Sequence, residues 1–405
     1  MPSIPGPSAI PTGGSAARGP GAGQPSGFLW DAEAAFAARD AWWDLSRNAL
    51  SANPFYEPHA LEAMLGNTPG LRARMRFCGL QQQGQLVALW PFLLGDGRCG
   101  WWRGPACFTS PFITETLPLV SRDFAAEDDT GAWAVSLLRL AGSLAPATPF
   151  VIGHCDCDSI VGAALLAGLE HMRWPHRVFD LVARPVAIRA NSYADFARAS
   201  HSDNRRRSLR RLRNRLAEAG DPGYESGMEP QACSDAAQEF LMLEAQGWKG
   251  RHGGAMAASV ATRVMCERLF SPDAPAGTRR FDRLTLDGRA IALSLALVQN
   301  DTVFLWKSAY DERFAKLAPG ILLEDAILRD LHESEEIVAL NSCALQKTAL
   351  DDLFAQRRRI ADIVVAPPGS GPASAMLSTE AIRRRARSTA VDLLRGLRTR
   401  LKGLD

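Results

Sequence analysis

The chain has 405 residues, 46% of them apolar and 22% charged, and a formal net charge of +2. That length accommodates two or three domains, and near-neutrality gives no overall field that would favour a nucleic acid or a membrane surface. No apolar run approaches the roughly 18 residues of a membrane span, and no charged start followed by an apolar core marks a secretory signal. The eight scattered Cys, without a CxxC pair, point to reduced thiols in a cytoplasm. The cations are unevenly divided, with 41 Arg and five Lys, at 249, 307, 316, 347 and 402. Where Arg is the default cation, a Lys, compact and readily shifted in pKa on burial, asks for a local reason.

Residues 1–27 hold 21 Pro, Gly, Ser or Ala and read as a disordered tail, with order beginning near Phe28. Helices are expected over Ala41–Leu50 and His59–Leu65, then strands over Arg72–Cys78 and Leu86–Leu94, a helix over Thr130–Ala145, a strand over Phe150–His154 and a helix over Ser159–Glu170. A second series begins near 192. Helices are predicted at Tyr193–Ala219, Ser234–Gln246 (capped by Ser234) and Ala255–Leu269. Strands follow at Thr278–Leu286, Ala290–Val298 and Val303–Ser308. Gly320–His332 reads as a helix, Ile337–Asn341 as a strand, Ala349–Ala361 as a helix and Ala375–Leu404 as a basic amphipathic helix. The mixture predicts an α/β (α+β) protein with central sheets flanked by helices. Gly84-Gln85-Leu86-Val87-Ala88-Leu89 resembles Gly288-Arg289-Ala290-Ile291-Ala292-Leu293, a weak repeat whose long period points to tandem domains.

Chemistry concentrates in the second series. In Ala290–Val298, large Ile291, Leu293, Leu295 and Leu297 alternate with Ala290, Ala292, Ser294 and Ala296. One face is thus kept small, for a packed helix or for a ligand. In the next strand, period two sets Lys307 with Val303 and Leu305, opposite Phe304, Trp306 and Ser308. Lys307 then either snorkels at the strand end or serves a site. Ala318-Pro319-Gly320 stands at a helix start, where free N–H groups suit a phosphate. Glu324 and Asp325 behind it would compete with an anion. Glu244 falls on a stripe with Ala237, Leu241 and Trp248. It is either an acid–base group on an apolar face or an edge carboxylate paired with Lys249 or an Arg, and spacing alone favours the pair.

The order of these pieces carries a resemblance. A basic helix is followed by Leu243-Glu244-x-x-Gly247-Trp248-Lys249-Gly250, then by Phe304-x-Trp306-Lys307-x-x-Tyr310-Asp311-Glu312 and Pro319-Gly320-x-Leu322. Asn341-x-Cys343-Ala344 and Arg357-Arg358 come last. This string resembles the GNAT acetyltransferase group associated with cellulose and exopolysaccharide biosynthesis, which is related to FemAB-type tandem-GNAT transferases. The resemblance implies tandem GNAT domains over 28–190 (degenerate) and 191–366 (acyl-CoA-binding), with a linker and basic helix over 367–405. It implies an N-acyltransferase moving an acetyl or acyl group from acetyl-CoA or another acyl-CoA to an amine or amino-sugar acceptor, alongside polysaccharide synthesis machinery. Glu244, Lys307, Tyr310 and Cys343 would be catalytic, with Tyr310 or Cys343 as the acid. Lys316, Ala318, Pro319, Gly320, Ile321 and Leu322 would hold the CoA phosphates, and Trp248, Lys249, Trp306 and Asn341 would line the acceptor side. Two other readings compete: aminoacyl transfer from tRNA, and a non-catalytic GNAT-like subunit.

Arg205–Arg215 holds seven Arg in eleven residues over a Leu209/Leu212/Leu216 seam. It fits CoA phosphates, an RNA or an anionic surface, or simply a solvated helix. Without interleaved aromatics, nucleic acid enters only in the tRNA reading. The C-terminal helix offers peripheral membrane contact or is a solvated tail. His154-Cys155-Asp156-Cys157-Asp158 looks like a metal cluster, but strand phase splits it between two faces, and no metal is expected.

Overall fold

A computed structural model describes residues 25–66, 68–128, 131–346 and 351–401. Thirteen strands form one continuous sheet. They are β1 (Ser26–Trp30), β2 (Met75–Gln82), β3 (Gln85–Cys99), β4 (Trp102–Cys107), β5 (Leu119–Val120), β6 (Phe150–Asp156), β7 (His176–Ile188), β8 (Pro222–Gly227), β9 (Arg279–Leu286), β10 (Arg289–Gln299), β11 (Thr302–Tyr310), β12 (Ala339–Asn341) and β13 (Gln356–Val365). The main path runs β1-β2-β3-β4-β6-β13-β7-β12-β11-β10-β9-β8, with β5 beside β3.

Read from its two ends, that path is the same. β1 to β4 and β8 to β11 are antiparallel ribbons. Each is followed by a short parallel contact, β4 with β6 and β11 with β12. Each half's last strand then crosses over, so that β13 pairs with β6, β7 pairs with β12, and β7 and β13 pair antiparallel at the centre. The hexapeptide repeat occupies equivalent places. Gln83-Gly84 and Asp287-Gly288 make tight turns with positive φ, 52° and 79° against 52° and 73°, leading into β3 and β10. The two halves thus repeat one mixed α/β arrangement, with their sheets fused into one.

Six helices matter below: α1 (Ala132–Ser143), α2 (Asp203–Ala219), α3 (Pro230–Gln246), α4 (Trp248–Arg251), α5 (Pro319–Glu333) and α6 (Ala373–Leu401). A large core takes one face of the sheet across both halves, including Leu293, Leu295, Leu297, Phe304 and Trp306. A smaller core on the other face joins Ala292 and Ala296 to Leu322, Leu323 and Ile327 of α5. The small face of β10 therefore receives a helix.

Several expectations are corrected. Of the helix expected over Ala349–Ala361, residues 351–361 are described and do not form it: β13 begins at Gln356, drawn into the sheet by partners on both sides. Tyr193–Ala219 is two helices, Tyr193–Ser200 and α2, because His201 is extended and Ser202 caps α2 by accepting from the Arg205 N–H. Arg72–Arg74 belongs to a helix (Pro69–Arg74), not to β2. The helix expected from Ser234 starts at Pro230, with Glu229 as its cap. β7 and β8 carry no strand expectation in the sequence. The first strand starts at Ser26, and the expected tail's residues 1–24, Lys347 and Lys402 lie outside the described residues. All eight Cys are free and buried, and among the described residues no three His, Cys, Asp or Glu could hold a metal. No helix among them is long and apolar enough to cross a membrane. Two cations of α6 are used internally, as Arg383 and Arg384 pair with buried Glu380 at 2.6 Å and Arg384 also with Asp362 at 2.8 Å.

Candidate active site

β11 pairs with β10 along its whole length but with β12 only over Thr302–Phe304. β12 ends at Asn341, so beyond Phe304, among the described residues, no strand pairs with that edge of β11. After β11 the chain winds through a 3-10 turn (Glu312–Leu317) to Ala318, which is left-handed (φ 52°, ψ 52°), and enters α5. No side chain caps α5. Its Ile321 and Leu322 N–H groups close onto the Ala318 carbonyl at 3.0 and 3.1 Å, leaving Gly320 as the first-turn amide not drawn back there. Glu324 and Asp325 do not compete for this end. Both are buried on the inner side of α5, Asp325 accepting from the Tyr193 hydroxyl and Arg213.

The equivalent gap in the first half is filled. β4 and β6 touch only at Ala106–Val151, and residues 113–116 lie against β6. The Thr116 hydroxyl donates to the Gly153 carbonyl, the Asp156 N–H donates to Glu115 Oε1 at 3.3 Å, and His154 Nδ1 is 2.9 Å from the Ile113 carbonyl. At the start of α1, the counterpart of α5, Asp128 accepts from the Trp133 N–H at 3.0 Å. A carboxylate thus stands where an anion would sit.

A β-bulge reorients Lys307. Ala296 pairs with Leu305 and Leu295 with Lys307, so Trp306 is the extra residue. Lys307 therefore joins Leu295 and Phe304 on the large-core face rather than Val303 and Leu305. Its ammonium lies over the Phe112 ring, 4.7 Å from the centroid, and 5.8 Å from that of Trp306. Trp306 is buried and donates from Nε1 to the Phe112 carbonyl at 3.0 Å. Burial, and then the Lys249 ammonium, pull the Lys307 pKa below its usual value, while Glu244 and Cys343 oppose the shift.

Glu244 is buried and fully engaged. Oε1 lies 2.8 Å from Lys249 Nζ, and Oε2 accepts from the Met256 N–H at 2.7 Å. Trp248 does not share its stripe: Gly247, extended, ends α3, and Trp248 opens α4 at 53% exposed. Glu312 ties α4 to the turn before α5, accepting from the Trp248 N–H and pairing with Arg251. Tyr310 is 38% exposed and lies against Gly320, where an added Cβ would be 3.6 Å from its ring. Lys316 is exposed on the turn.

Cys343 is buried, and burial pushes its thiol up to about 11. Asn341 Oδ1 accepts from the Cys343 N–H at 2.9 Å, and Asn341 lines a groove of about 310 Å³ with Glu115, Asp156 and Arg358 at the paired end of β11 and β12. The structure thus gathers Glu244, Lys249, Lys307, Trp306 and Cys343, sets Tyr310, Lys316 and the α5 start after the unpaired edge of β11, and places Asn341, bonded to Cys343, on the groove at the paired end. Phe112 had no signal in the sequence, because it reaches Lys307 from the other half. Arg184 is another such residue: wholly buried, it pairs with Glu115 at 3.2 Å and donates to the Ala344 carbonyl at 3.1 Å.

Residues 203–340 match the family model described as an acetyltransferase (GNAT) domain. This segment contains β8 to β11, α5 and the first two residues of β12. No curated protein sequence matches the chain. Among solved structures, it is similar to the C-terminal domain of a putative lysylphosphatidylglycerol synthetase from Agrobacterium fabrum, at 12% identity and TM-score 0.49, over 85% of this chain and 95% of that one. It is also similar to a conserved protein of unknown function from Bacteroides thetaiotaomicron, at 13% identity and TM-score 0.48, over 82% and 97%. A tandem GNAT protein from the clavulanic acid biosynthesis pathway aligns at 12% identity and TM-score 0.39, over 85% and 99%.

Proposed function

We propose that residues 191–366 transfer an acyl group from acetyl-CoA or another acyl-CoA to an amine, with residues 28–190 as a degenerate partner. The observation that supports this reading is the unpaired edge of β11 beyond Phe304, followed by the uncapped start of α5, in a half that matches the GNAT model. The filled gap and the Asp128-capped helix of the first half support assigning the acyl-CoA to the second.

In this reading the pantetheine arm lies along the free edge of β11. The phosphates meet the start of α5 around Gly320, with Lys316 as a neighbouring cation. The acceptor amine attacks the thioester carbonyl carbon; a C–N bond forms, the C–S bond breaks, and the thiolate takes a proton. Tyr310, half-exposed beside Gly320, is the donor we assign, since Cys343 is enclosed. Lys307, held below its ordinary pKa, accepts the proton from the incoming ammonium. Glu244 and Lys249 tune that lysine from behind. An amino sugar in polysaccharide or cell-envelope assembly is the acceptor class implied by the sequence resemblance.

Calorimetry with acetyl-CoA, longer acyl-CoAs and free CoA tests the donor, and turnover with a panel of amines tests the acceptor. Binding of free CoA that Gly320→Glu abolishes is the expected result. No binding of any CoA species would overturn the reading.

A further inference from the structure

An apolar cavity of about 400 Å³ lies between α2 and α5, and none of the residues assigned above to the candidate site lines it except Leu322. Leu216, Leu284 and Leu322, all buried, form its floor, and exposed Ala217 is on its wall. Two guanidinium groups stand at its edge, Arg213 from α2 and Arg329 from α5. One buried carboxylate holds both: Arg213 Nη1 and Arg329 Nε each lie 3.2 Å from the same oxygen, Oδ2 of Asp325. The Tyr193 hydroxyl donates to the other oxygen, and the Arg329 guanidinium stacks 4.1 Å over the Tyr193 ring.

Two like charges fixed around a single countercharge leave the edge net positive. Each planar guanidinium has more N–H donors than that carboxylate uses. The side chains keep 37% and 38% of their surface in solvent, so those donors can be reached. Helical spacing continues the charge along the same side of α2, where Arg207, Arg210 and Asn214 line up with Ala217. Arg207 and Arg210 are exposed and make no ion pair among the described residues.

We infer that this cavity binds an anionic amphiphile, with an aliphatic chain over the leucines and a phosphate-like head on Arg213 and Arg329. The apolar floor gives a polar ligand nothing to bond with. A neutral hydrocarbon would leave the paired guanidinium groups unanswered. A nucleic acid could follow the arginines but has nothing to place over the leucines. The inference does not depend on acyl transfer. The same chemistry is offered by a phospholipid in a bilayer, where Arg207 and Arg210 would meet neighbouring head groups, and by a free alkyl or acyl anion.

Calorimetry of the full chain with hexyl, octyl and decyl phosphate, below their micellar range, tests the site. Affinity should rise about fourfold per methylene, the equivalent of about 0.8 kcal/mol for each buried CH₂. Ala217→Trp, at an exposed wall position, should flatten that dependence, and Arg213→Gln should weaken all three ligands alike. Sedimentation with phosphatidylglycerol/phosphatidylcholine vesicles separates the sources: co-sedimentation assigns a bilayer lipid, and its absence with retained alkyl-phosphate binding assigns a free amphiphile. Octanol binding as tightly as octyl phosphate, affinity independent of chain length, or chain dependence unchanged in Ala217→Trp would overturn the inference. So would binding of a short RNA with none of the alkyl phosphates.

Discussion

Lys249 Nζ sits 2.8 Å from Glu244 Oε1, and this pair faces the ammonium of Lys307 with opposite effects from its two members. The lysine of the pair lowers the Lys307 pKa and the carboxylate raises it. The pair therefore acts as an adjustable field on the proposed base.

Its sign can be tested. Lys249→Met removes the charge that lowers Lys307 and frees the carboxylate that raises it. The rising limb of the pH–rate profile should move to higher pH. Glu244→Gln leaves the Lys249 charge unopposed, so the limb should move to lower pH. Profiles of kcat/KM for both variants check this, and shifts in the same direction would show that Lys307 is not the group titrating.

Tyr310→Phe should lower kcat by roughly 100- to 10,000-fold, the scale of a positioned general acid, while leaving the Kd for free CoA unchanged. Steady-state kinetics and calorimetry separate the two. A loss confined to CoA binding would make Tyr310 part of the cradle instead.

Ala318 holds φ at 52° without being glycine, whereas Gly131, at the matching start of α1, takes 67° as a glycine can. Ala318→Gly should raise stability by about 0.5–1 kcal/mol, measured by denaturant or thermal unfolding. A loss of stability would mean that the turn is held by contacts of the Ala318 methyl.

Glu324 is buried under α5 with Oε2 unpartnered, and burial, with Asp282 nearby, pushes its carboxyl up from 4.5 to about 8. Between those values the unfolded chain has released the proton and the folded chain keeps it, so this group makes stability fall as pH rises through the interval. Glu324→Gln should flatten the decline and be more stable at pH 8 by roughly 1–3 kcal/mol. Unfolding curves at pH 5, 6.5 and 8 would show it. A variant that keeps the wild-type slope would place the titration elsewhere.

The sequence is most legible where one element is decided by its own neighbours. β10 and β11, the turn into β10 and the helix after Ala318-Pro319-Gly320 all follow from local pattern. Lys307 shows where that stops, because a one-residue bulge at Trp306 inverts its face and period two contains no warning of it. β7 and β13 were hidden for another reason. Arg177, Asp180 and Arg184, and then Arg357, Arg358 and Arg359, interrupt any apolar alternation, and each strand is stabilised by the other and by a strand of the opposite half. Burial of Arg184 against Glu115 likewise depends on a partner that only the finished fold supplies.

The exchange of β7 and β13 also sets the order in which the molecule can be completed. The first half's sheet begins at Ser26, yet its β6 stays an open edge until β13, ending at Val365, is available to cover it. During synthesis that half must wait until β13 has been made, with an unpaired strand exposed. Such edges invite pairing with the wrong partner, and the two halves expressed separately should each present one. The same crossing that joins the two halves of the sheet makes their assembly a single late, long-range event rather than two early local ones.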